Sequence, residues 1–156
     1  MNESGSVQAV AFRPATSADL SDIRSLLSAS GLPVDDIEQH IGNFLVATQG
    51  GTLVGCIAIE LLGVTALLRS LCVRPECRNR GVAAELGARI AERAARAGVR
   101  RLYLMTTTAK EYFERAGFSV CSRDEMPAEI QGTLQFRALC PATAVCMRRD
   151  LPGSNS

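Results

Sequence analysis

The sequence lacks several features that would place a protein in a specialised class. No apolar run is long enough to cross a membrane, and residues 1–8 are too polar for a signal peptide. The net charge of +1 gives no basis for nonspecific binding to nucleic acid or to an anionic membrane. With one histidine, His40, and no Cys-x-x-Cys pair, a zinc site is poorly supported, and no metal is predicted. These absences favour a cytoplasmic protein without a membrane or nucleic-acid partner.

The composition instead indicates one globular domain. A chain of 156 residues, 47% of them hydrophobic, can bury a sizeable core. We predict a flexible tail at residues 1–6, a single domain at 7–151 and a second tail at 152–156. The six cysteines are expected to be free thiols, because nothing in the sequence directs the chain to an oxidising compartment.

The most informative segment is Arg78-Asn79-Arg80-Gly81-Val82-Ala83. It lies between an apolar, strand-like run at 67–73 and an alanine-rich, helical run at 83–97. Free backbone N–H groups and the helix dipole make such a helix N-terminus an anion site, and Gly81 lets the backbone approach a diphosphate without a Cβ in the way. The single glycine, and the absence of Gly-Lys-Ser/Thr, argue against a Rossmann site or a P-loop. The alternative is an ordinary strand-to-helix turn with solvated arginines.

Hydrophobic periodicity and turn residues predict an alternation of strands and helices. Strands are predicted at residues 7–13, 44–47, 53–62, 65–73, 102–105, 118–121 and 143–149. Helices are predicted after a cap at Thr16 or Ser17, from Pro33 through His40, at 83–97 and at 110–116, with one turn at 126–130. The helix that follows the segment 78–83 should bury Val82, Leu86, Ile90 and Ala94. This order indicates a mixed sheet with helices on both faces.

Four sequence landmarks, in the same order along the chain, resemble those of the GNAT acetyltransferase superfamily. The segment 78–83 is similar to its acetyl-CoA pyrophosphate loop, Gln/Arg-x-x-Gly-x-Gly/Ala, with arginine, glycine and alanine at the defined positions. Residues 71–75 resemble the Leu-x-Val-x-Pro strand end before that loop, and 112–118 resemble the Phe-Tyr-Glu-Arg-x-Gly-Phe helix and turn. Residues 12–20 resemble the Arg-x-Ala-x-x-x-Asp opening.

The resemblance implies the GNAT fold, an α/β (α+β) architecture whose central mixed β-sheet has splayed parallel strands and helices on both faces. It implies an acetyl-CoA-dependent N-acetyltransferase, with acetyl-CoA as co-substrate and direct transfer of acetyl to an amine. Backbone groups of Leu71 and Val73 would bind pantetheine while the Cys72 side chain points the other way, and both residues would also pack in the core. The implied cofactor-binding residues are Leu71, Cys72, Val73, Arg78, Asn79, Arg80, Gly81, Val82, Ala83 and Phe113.

The residue that would protonate the leaving thiolate departs from the family pattern. The family's usual tyrosine, four residues before the glycine of Gly-Phe, is Phe113 here. Tyr112 comes one residue earlier, about 100° around the helix, so it either packs or acts as the acid from another direction. Thr107, at the end of a short strand, is a second candidate, and a bound water is a third. Thr108, which follows Thr107, is expected to cap the next helix.

Four charged residues are candidates for the general base and the acceptor site. Glu60 could hold a water that takes the proton of the amine, or it could lie on a solvated face. Arg69 lies in the middle of an apolar strand, where an arginine needs an anionic partner or access to water. It could clamp a carboxylate or phosphonate of the substrate, with Arg74 and Asp36 also in the substrate site. Alternatively, Arg69 forms a structural ion pair with Glu60 or Asp36.

Three further stretches are similar to the ArsN-type acetyltransferases encoded with arsenic-resistance genes. They are Gly31-Leu32-Pro33-x-x-Asp36, residues 104–109 and residues 135–144, and a phenylalanine at the position of Phe113 is also usual in that subgroup. The resemblance implies acetylation of the α-amine of a small anionic amino acid. Arsinothricin and phosphinothricin, both glutamate analogues, are the associated substrates.

Other functions stay open at this stage. The chain could be a GNAT enzyme that acts on another small amine or on a protein N-terminus. It could instead be a non-catalytic protein that binds acyl-CoA or arsenic(III), the latter through Cys140 with Cys146 or through Cys72 with Cys77. Buried, inert thiols are the expected state of most of the cysteines. Whether the chain forms a homodimer also stays open.

Overall fold

A computed structural model describes residues 9–139 and 141–152. The predicted tail at residues 1–6 lies outside these ranges, as do the first two residues of the predicted first strand and all but Pro152 of the tail at 152–156. Cys140, one of the predicted arsenic ligands, also lies outside them.

Within the described residues, seven strands form one sheet in the order β1-β2-β3-β4-β5-β7-β6. All neighbouring strands are antiparallel except β4 and β5, which are parallel. The sheet is therefore mixed, as the sequence predicted. The strands are β1 Val10–Pro14, β2 Phe44–Gln49, β3 Thr52–Leu62, β4 Thr65–Val73, β5 Arg101–Thr106, β6 Ser119–Cys121 and β7 Val145–Asp150.

In the part of the chain that the structure describes, four α-helices connect the strands: α1 Leu20–Ala29, α2 Val82–Arg96, α3 Lys110–Arg115 and α4 Ala128–Gln131. Shorter helical turns are Ser17–Asp19, Ile37–Asn43, Pro75–Cys77, Arg123–Glu125 and a π-helical turn at Gln135–Leu139. None of the helices in the described ranges is both long enough and apolar enough to cross a bilayer. The helix predicted from Pro33 is instead a 3₁₀ helix that begins at Ile37, because Gly42 and Asn43 are weak helix formers and β2 starts directly afterwards. The π-helical turn was not predicted.

The core has a layer on each face of the sheet. On one face α2 packs through Val82, Leu86, Ile90 and Ala94, the four residues that the periodicity predicted. On the other face α1 packs through Ile23, Leu26 and Leu27 against residues of β2, β3 and β4. Burial of two helical faces against opposite sides confirms the prediction of helices on both faces.

The sheet opens at its centre, where β4 and β5 separate. The two strands pair over only three positions, from Thr65↔Arg101 to Leu67↔Tyr103, although β4 continues to Val73 and β5 to Thr106. Three residues beyond the last pair, Ser70 has a φ of 61°, and the register of β3 with β4 shifts there. The irregular half of β4 therefore faces a gap instead of a neighbouring strand.

Candidate functional site

The gap between β4 and β5 is a cleft of about 1000 Å³. One wall is the irregular half of β4, residues 68–73, and the other is the end of β5 with the three threonines at 106–108. The loop that leads into α2 and two residues of α3 lie at one end of the cleft. The C-terminal end of α1 and residues 31–33 lie at the other end. The cleft therefore reaches from the face that carries α2 to the face that carries α1.

The loop before α2 has the backbone of an anion site. Asn79 and Gly81 both adopt left-handed φ values, 64° and 83°, and Gly81 is the N-cap of the helix. A Cβ added at Gly81 would meet no protein atom within 4 Å, so the space beside it is open. Arg78 Nε donates a hydrogen bond of 3.0 Å to the carbonyl of Val73, which ties the loop to the end of β4. Unpaired N–H groups of a 15-residue helix face the cleft at this point, an arrangement that suits a diphosphate.

Nine of the ten predicted cofactor-binding residues line the cleft, and Arg80 does not. The Cys72 side chain packs on the α1 side of the sheet, as predicted, and its thiol donates to Ser30 Oγ at 3.0 Å. The lining predicted residues are Leu71, Cys72, Val73, Arg78, Asn79, Gly81, Val82, Ala83 and Phe113.

Both aromatic residues of α3, Tyr112 and Phe113, line the cleft. Phe113 is 8% exposed and packs edge-to-face against Phe118, with ring centroids 5.7 Å apart. Tyr112 is half-buried and packs edge-to-face against Phe113 at 5.2 Å. Burial raises the pKa of the Tyr112 phenol, so it carries its proton at neutral pH. The structure therefore offers a protonated hydroxyl in the cleft one residue before the family's usual position.

The three threonines after β5 also line the cleft. Thr107 and Thr108 are exposed, whereas Thr106 Oγ1 accepts a hydrogen bond of 3.0 Å from the N–H of Ala109. The N-cap of α3 is Ala109, and no side chain caps the helix, so the expectation that Thr108 does so was wrong. A capping hydroxyl belongs to the N-cap residue and accepts an N–H of the first helical turn, whereas the Thr106 hydroxyl closes the turn before the helix.

Arg69 lies in a buried ionic cluster with two carboxylates. Nη1 donates to Asp36 Oδ2 and to Glu60 Oε2, each at 2.7 Å, and Nη2 contacts Asp36 Oδ1. His40 Nε2 lies 3.6 Å from Asp36 Oδ2 and 3.8 Å from Glu60 Oε2. Burial opposes the ionisation of Asp36, but hydrogen bonds and charge from Arg69 outweigh it and lower the pKa of Asp36. The same partners raise the pKa of Arg69 against the effect of its burial.

This cluster has consequences for three predicted site residues. The structural ion pair, left as an alternative for Arg69, is present with both proposed partners. Glu60 is 7% exposed and does not lie on a solvated face, and neither Glu60 nor Asp36 lines the cleft. Arg69 itself does line the cleft. Arg74 lies elsewhere: its Nε donates to the carbonyl of Leu53 at 2.9 Å, and it does not line the cleft.

The charges of the cleft are all positive among the residues that the structure describes. Arg69 and Arg78 are its charged lining residues, and no carboxylate or histidine lines it within residues 9–139 and 141–152. Such a cleft suits anionic ligands and offers no carboxylate base. Two further lining segments were missed as site residues, namely Ser30 to Pro33 after α1 and the π-helical turn with Gln135 and Leu139. Both had a sequence signal, since they overlap stretches similar to the ArsN-type proteins, but no site role was assigned to them.

Residues 40–120, just over half of the chain, match the family model of the acetyltransferase (GNAT) domain. An amino-acid acetyltransferase of Aeromonas salmonicida is 33% identical over 128 residues, which are 76% of this chain and 29% of the relative. An amino-acid acetyltransferase of Neisseria meningitidis serogroup A is 30% identical over 127 residues, with the same coverage of 76% and 29%. The chain thus spans less than a third of the length of these relatives.

Solved structures share the fold over nearly the whole chain. N-acetylglutamate synthase from Neisseria gonorrhoeae, complexed with coenzyme A and N-acetyl-glutamate, aligns with a TM-score of 0.81 and 26% identity over 92% of this chain and 35% of that one. Rv2747 from Mycobacterium tuberculosis, also in complex with CoA, aligns with a TM-score of 0.77 and 20% identity over 91% of this chain and 99% of that one. The predicted fold is therefore confirmed, and the chain belongs to the GNAT family of acetyltransferases.

Proposed function

We propose that this chain transfers the acetyl group of acetyl-CoA directly to the amine of a small anionic amino acid. The observation that carries the proposal is the cleft between the separated strands β4 and β5. It is lined both by the N-terminus of α2 and by the C-terminal end of α1, which pack on opposite faces of the sheet, and its charged lining residues within the described ranges are arginines. A diphosphate and an anionic acceptor could thus enter from opposite faces and meet at the strand gap.

The residues of the loop fit acetyl-CoA. Gly81 leaves open space where a Cβ would stand, and the N-terminus of α2 supplies N–H groups for a diphosphate. Beyond the last β4–β5 pair, β4 has no parallel neighbour, so backbone groups of Leu71 and Val73 can bind an extended pantetheine as a strand would. Solved relatives of the same fold are complexes with coenzyme A.

The acceptor class is inferred from the cleft and from the relatives. N-acetylglutamate synthase, a solved structural neighbour, holds N-acetyl-glutamate, and the sequence relatives are amino-acid acetyltransferases. Glutamate, phosphinothricin and arsinothricin share an α-amine and a second acidic group. Arg69 lines the cleft, but its side chain is 1% exposed and its guanidinium is bound by Asp36 and Glu60, so the anionic acceptor rests mainly on the relatives. We therefore place the ArsN-type substrates within the proposed acceptor class.

Proton transfer in the cleft can be assigned to particular atoms. The amine attacks the thioester carbon as the neutral base, and its proton passes to water, since Glu60 is held by Arg69 and does not line the cleft. The sulfur of CoA leaves and takes a proton from the Tyr112 hydroxyl, whose raised pKa keeps it protonated until then. Thr107 is the second candidate donor, because it also lines the cleft.

An activity panel tests the proposed function. Release of free CoA is measured with acetyl-CoA and each of five amines: glutamate, phosphinothricin, arsinothricin, glutamine and a peptide with a free N-terminus. We expect turnover with the dianionic amino acids and at least about tenfold lower kcat/KM with glutamine, since one charged contact contributes on the order of 1.5–3 kcal/mol. Equal rates with glutamine and glutamate would refute the anionic acceptor, and the absence of turnover with every amine would refute the enzyme assignment for this chain.

A further inference from the structure

Two residues other than glycine have positive φ values in the part of the chain that the structure describes, and both line the cleft. They are Asn79 in the phosphate loop, at 64°, and Ser70 in β4, at 61°. Asparagine tolerates this conformation comparatively well, whereas serine in the middle of a strand does not. The backbone at Ser70 therefore needs support from its surroundings.

Ser70 belongs to a β-bulge at the point where β4 turns away from β5. Ala58 of β3 pairs with Arg69 and Cys56 pairs with Cys72, so the two β4 residues Ser70 and Leu71 lie opposite Ile57 alone. An extra residue of this kind re-aims the backbone that follows it. Here the re-aimed segment is 70–73, the stretch of β4 that lines the cleft.

Two contacts hold the bulge in place. Arg69 Nε donates to Ser70 Oγ at 3.2 Å, and the Cys56 thiol donates to the Ser70 carbonyl at 3.3 Å. The guanidinium that makes the first contact is itself immobilised, because its other two nitrogens bind Asp36 and Glu60. Asp36 is the N-cap of the 3₁₀ helix at Ile37–Asn43 and Glu60 lies on β3, so two elements other than β4 fix this side chain.

We propose that Arg69, held by Asp36 and Glu60, is a positioning residue that clamps Ser70 in the left-handed conformation and so aims the backbone of Leu71 and Val73 at acetyl-CoA. The proposal rests on the proposed function, since it takes the cleft to be the acetyl-CoA site. A guanidinium suits this role because its terminal fork binds the carboxylates while Nε remains free for Ser70. The ammonium of a lysine would supply the charge, but it has no second nitrogen that could bind Ser70 while the first binds the carboxylates.

A positioning role and a substrate-binding role for Arg69 predict different effects of its replacement. If Arg69 binds the acceptor, its loss raises KM for the acceptor and leaves acetyl-CoA binding unchanged. If Arg69 positions the bulge, acetyl-CoA binding itself weakens, and a glycine at position 70 compensates because glycine adopts a φ of 61° without support.

The test compares Arg69→Lys, Ser70→Ala, Ser70→Gly and the double variant Arg69→Lys/Ser70→Gly by calorimetric titration with acetyl-CoA and by KM for each substrate. We expect Ser70→Ala and Arg69→Lys to weaken acetyl-CoA binding roughly tenfold or more, since small misplacements in a positioned site are costly. Ser70→Gly should weaken it less than Ser70→Ala, and the double variant should bind more tightly than Arg69→Lys. Arg101→Lys, which alters an exposed ion pair with Asp150 outside the cleft, is the matched control and should match the wild type.

Several outcomes would overturn the positioning role. Ser70→Ala and Ser70→Gly with equal affinities, or a double variant no better than Arg69→Lys, would each do so. Unchanged acetyl-CoA affinity with a raised acceptor KM in Arg69→Lys would assign the residue to the substrate instead. If Arg69→Lys does not fold, the two Ser70 variants decide alone, because they leave the ionic cluster intact. Wild-type protein that fails to bind acetyl-CoA refutes the proposed function itself, whereas tight wild-type binding with an unaffected Ser70→Ala refutes the positioning role only.

Discussion

A glycine at the start of α2 can serve two purposes: it adopts a positive φ without strain, and it leaves space for a diphosphate. Replacement of Gly81 by valine should separate these two effects. Gly81 has a φ of 83°, and a Cβ there would meet no protein atom within 4 Å. The protein therefore has room for a side chain, and the cost to folding is backbone strain alone. For an L-residue that strain is about 1–2 kcal/mol, which should lower Tm by about 2–4 °C for each kcal/mol in a chain of this size.

The effect on acetyl-CoA should be larger than the effect on stability. A valine side chain would stand in the space through which a diphosphate approaches the N–H groups of the helix. Loss of one charge-assisted hydrogen bond costs about 1.5–3 kcal/mol, which corresponds to roughly 10- to 100-fold weaker binding. Calorimetric titration with acetyl-CoA measures this directly, alongside thermal unfolding of the same sample.

Gly98 provides a matched control at the other end of the same helix. Its φ is 92°, a Cβ there also meets nothing within 4 Å, and it does not line the cleft. Gly98→Val should therefore lower Tm about as much as Gly81→Val while it leaves acetyl-CoA affinity unchanged. A folded Gly81→Val protein with wild-type affinity would refute the placement of the diphosphate at this loop.

Three further predictions concern the acid, the pH dependence of the rate and the acid stability of the fold. Tyr112→Phe should lower kcat by roughly 10²- to 10⁴-fold with acetyl-CoA affinity retained, whereas Phe113→Tyr should stay within about tenfold of the wild type; a small effect at Tyr112 would give its role to water or Thr107. Because no carboxylate or histidine lines the cleft within the described residues, log kcat/KM for the acceptor should rise with unit slope up to the pKa of the substrate amine, and a plateau well below that pKa would reveal an enzymic base. Hydrogen bonds from Arg13 hold the pKa of Asp19 at about 2, below its ordinary 3.8, so this carboxylate stabilises the fold above pH 3.8 and the contribution is lost as the pH falls towards 2. Asp19→Asn should lower the free energy of unfolding at pH 7 by on the order of 1–2 kcal/mol, a figure already reduced for the exposure of Arg13. The free energy of unfolding of this variant should also fall less steeply between about pH 4 and about pH 2 than that of the wild type, and an unchanged pH dependence would contradict the pairing of Asp19 with Arg13.

Much of the fold could be read from short windows of the sequence. The predicted bounds of β4, 65–73, agree with the structure, and the predicted buried face of α2 is the observed one. Both depend on local properties, namely the direction in which successive side chains point and the turn preferences of glycine and proline. The phosphate loop belongs to the same group, since a strand, a glycine with positive φ and a helix N-terminus are consecutive in the chain.

The substrate half of the site was much harder to predict. Asp36 and Arg69 are 33 residues apart, and whether they meet depends on how the 3₁₀ helix packs beside β3 and β4. The sequence left Arg69 with two alternatives because a buried arginine requires an anion but does not specify its source. The N-cap of α3 is Ala109 and not Thr108, because the exact start of a short helix depends on the tertiary packing of its neighbours.

The sequence by itself determined the order of the strands and main helices, the strand, glycine and helix of the proposed acetyl-CoA loop, and the family, because each of these depends on residues that are close together in the chain. Only the tertiary structure decided that β4 and β5 separate after Leu67, that the C-terminal end of α1 lines the cleft, and that Glu60 and Asp36 contact Arg69 and do not line the cleft. The physical reason is that strand order, bulge position and the contacts of a buried charge depend on long-range pairing, which no local window of sequence contains.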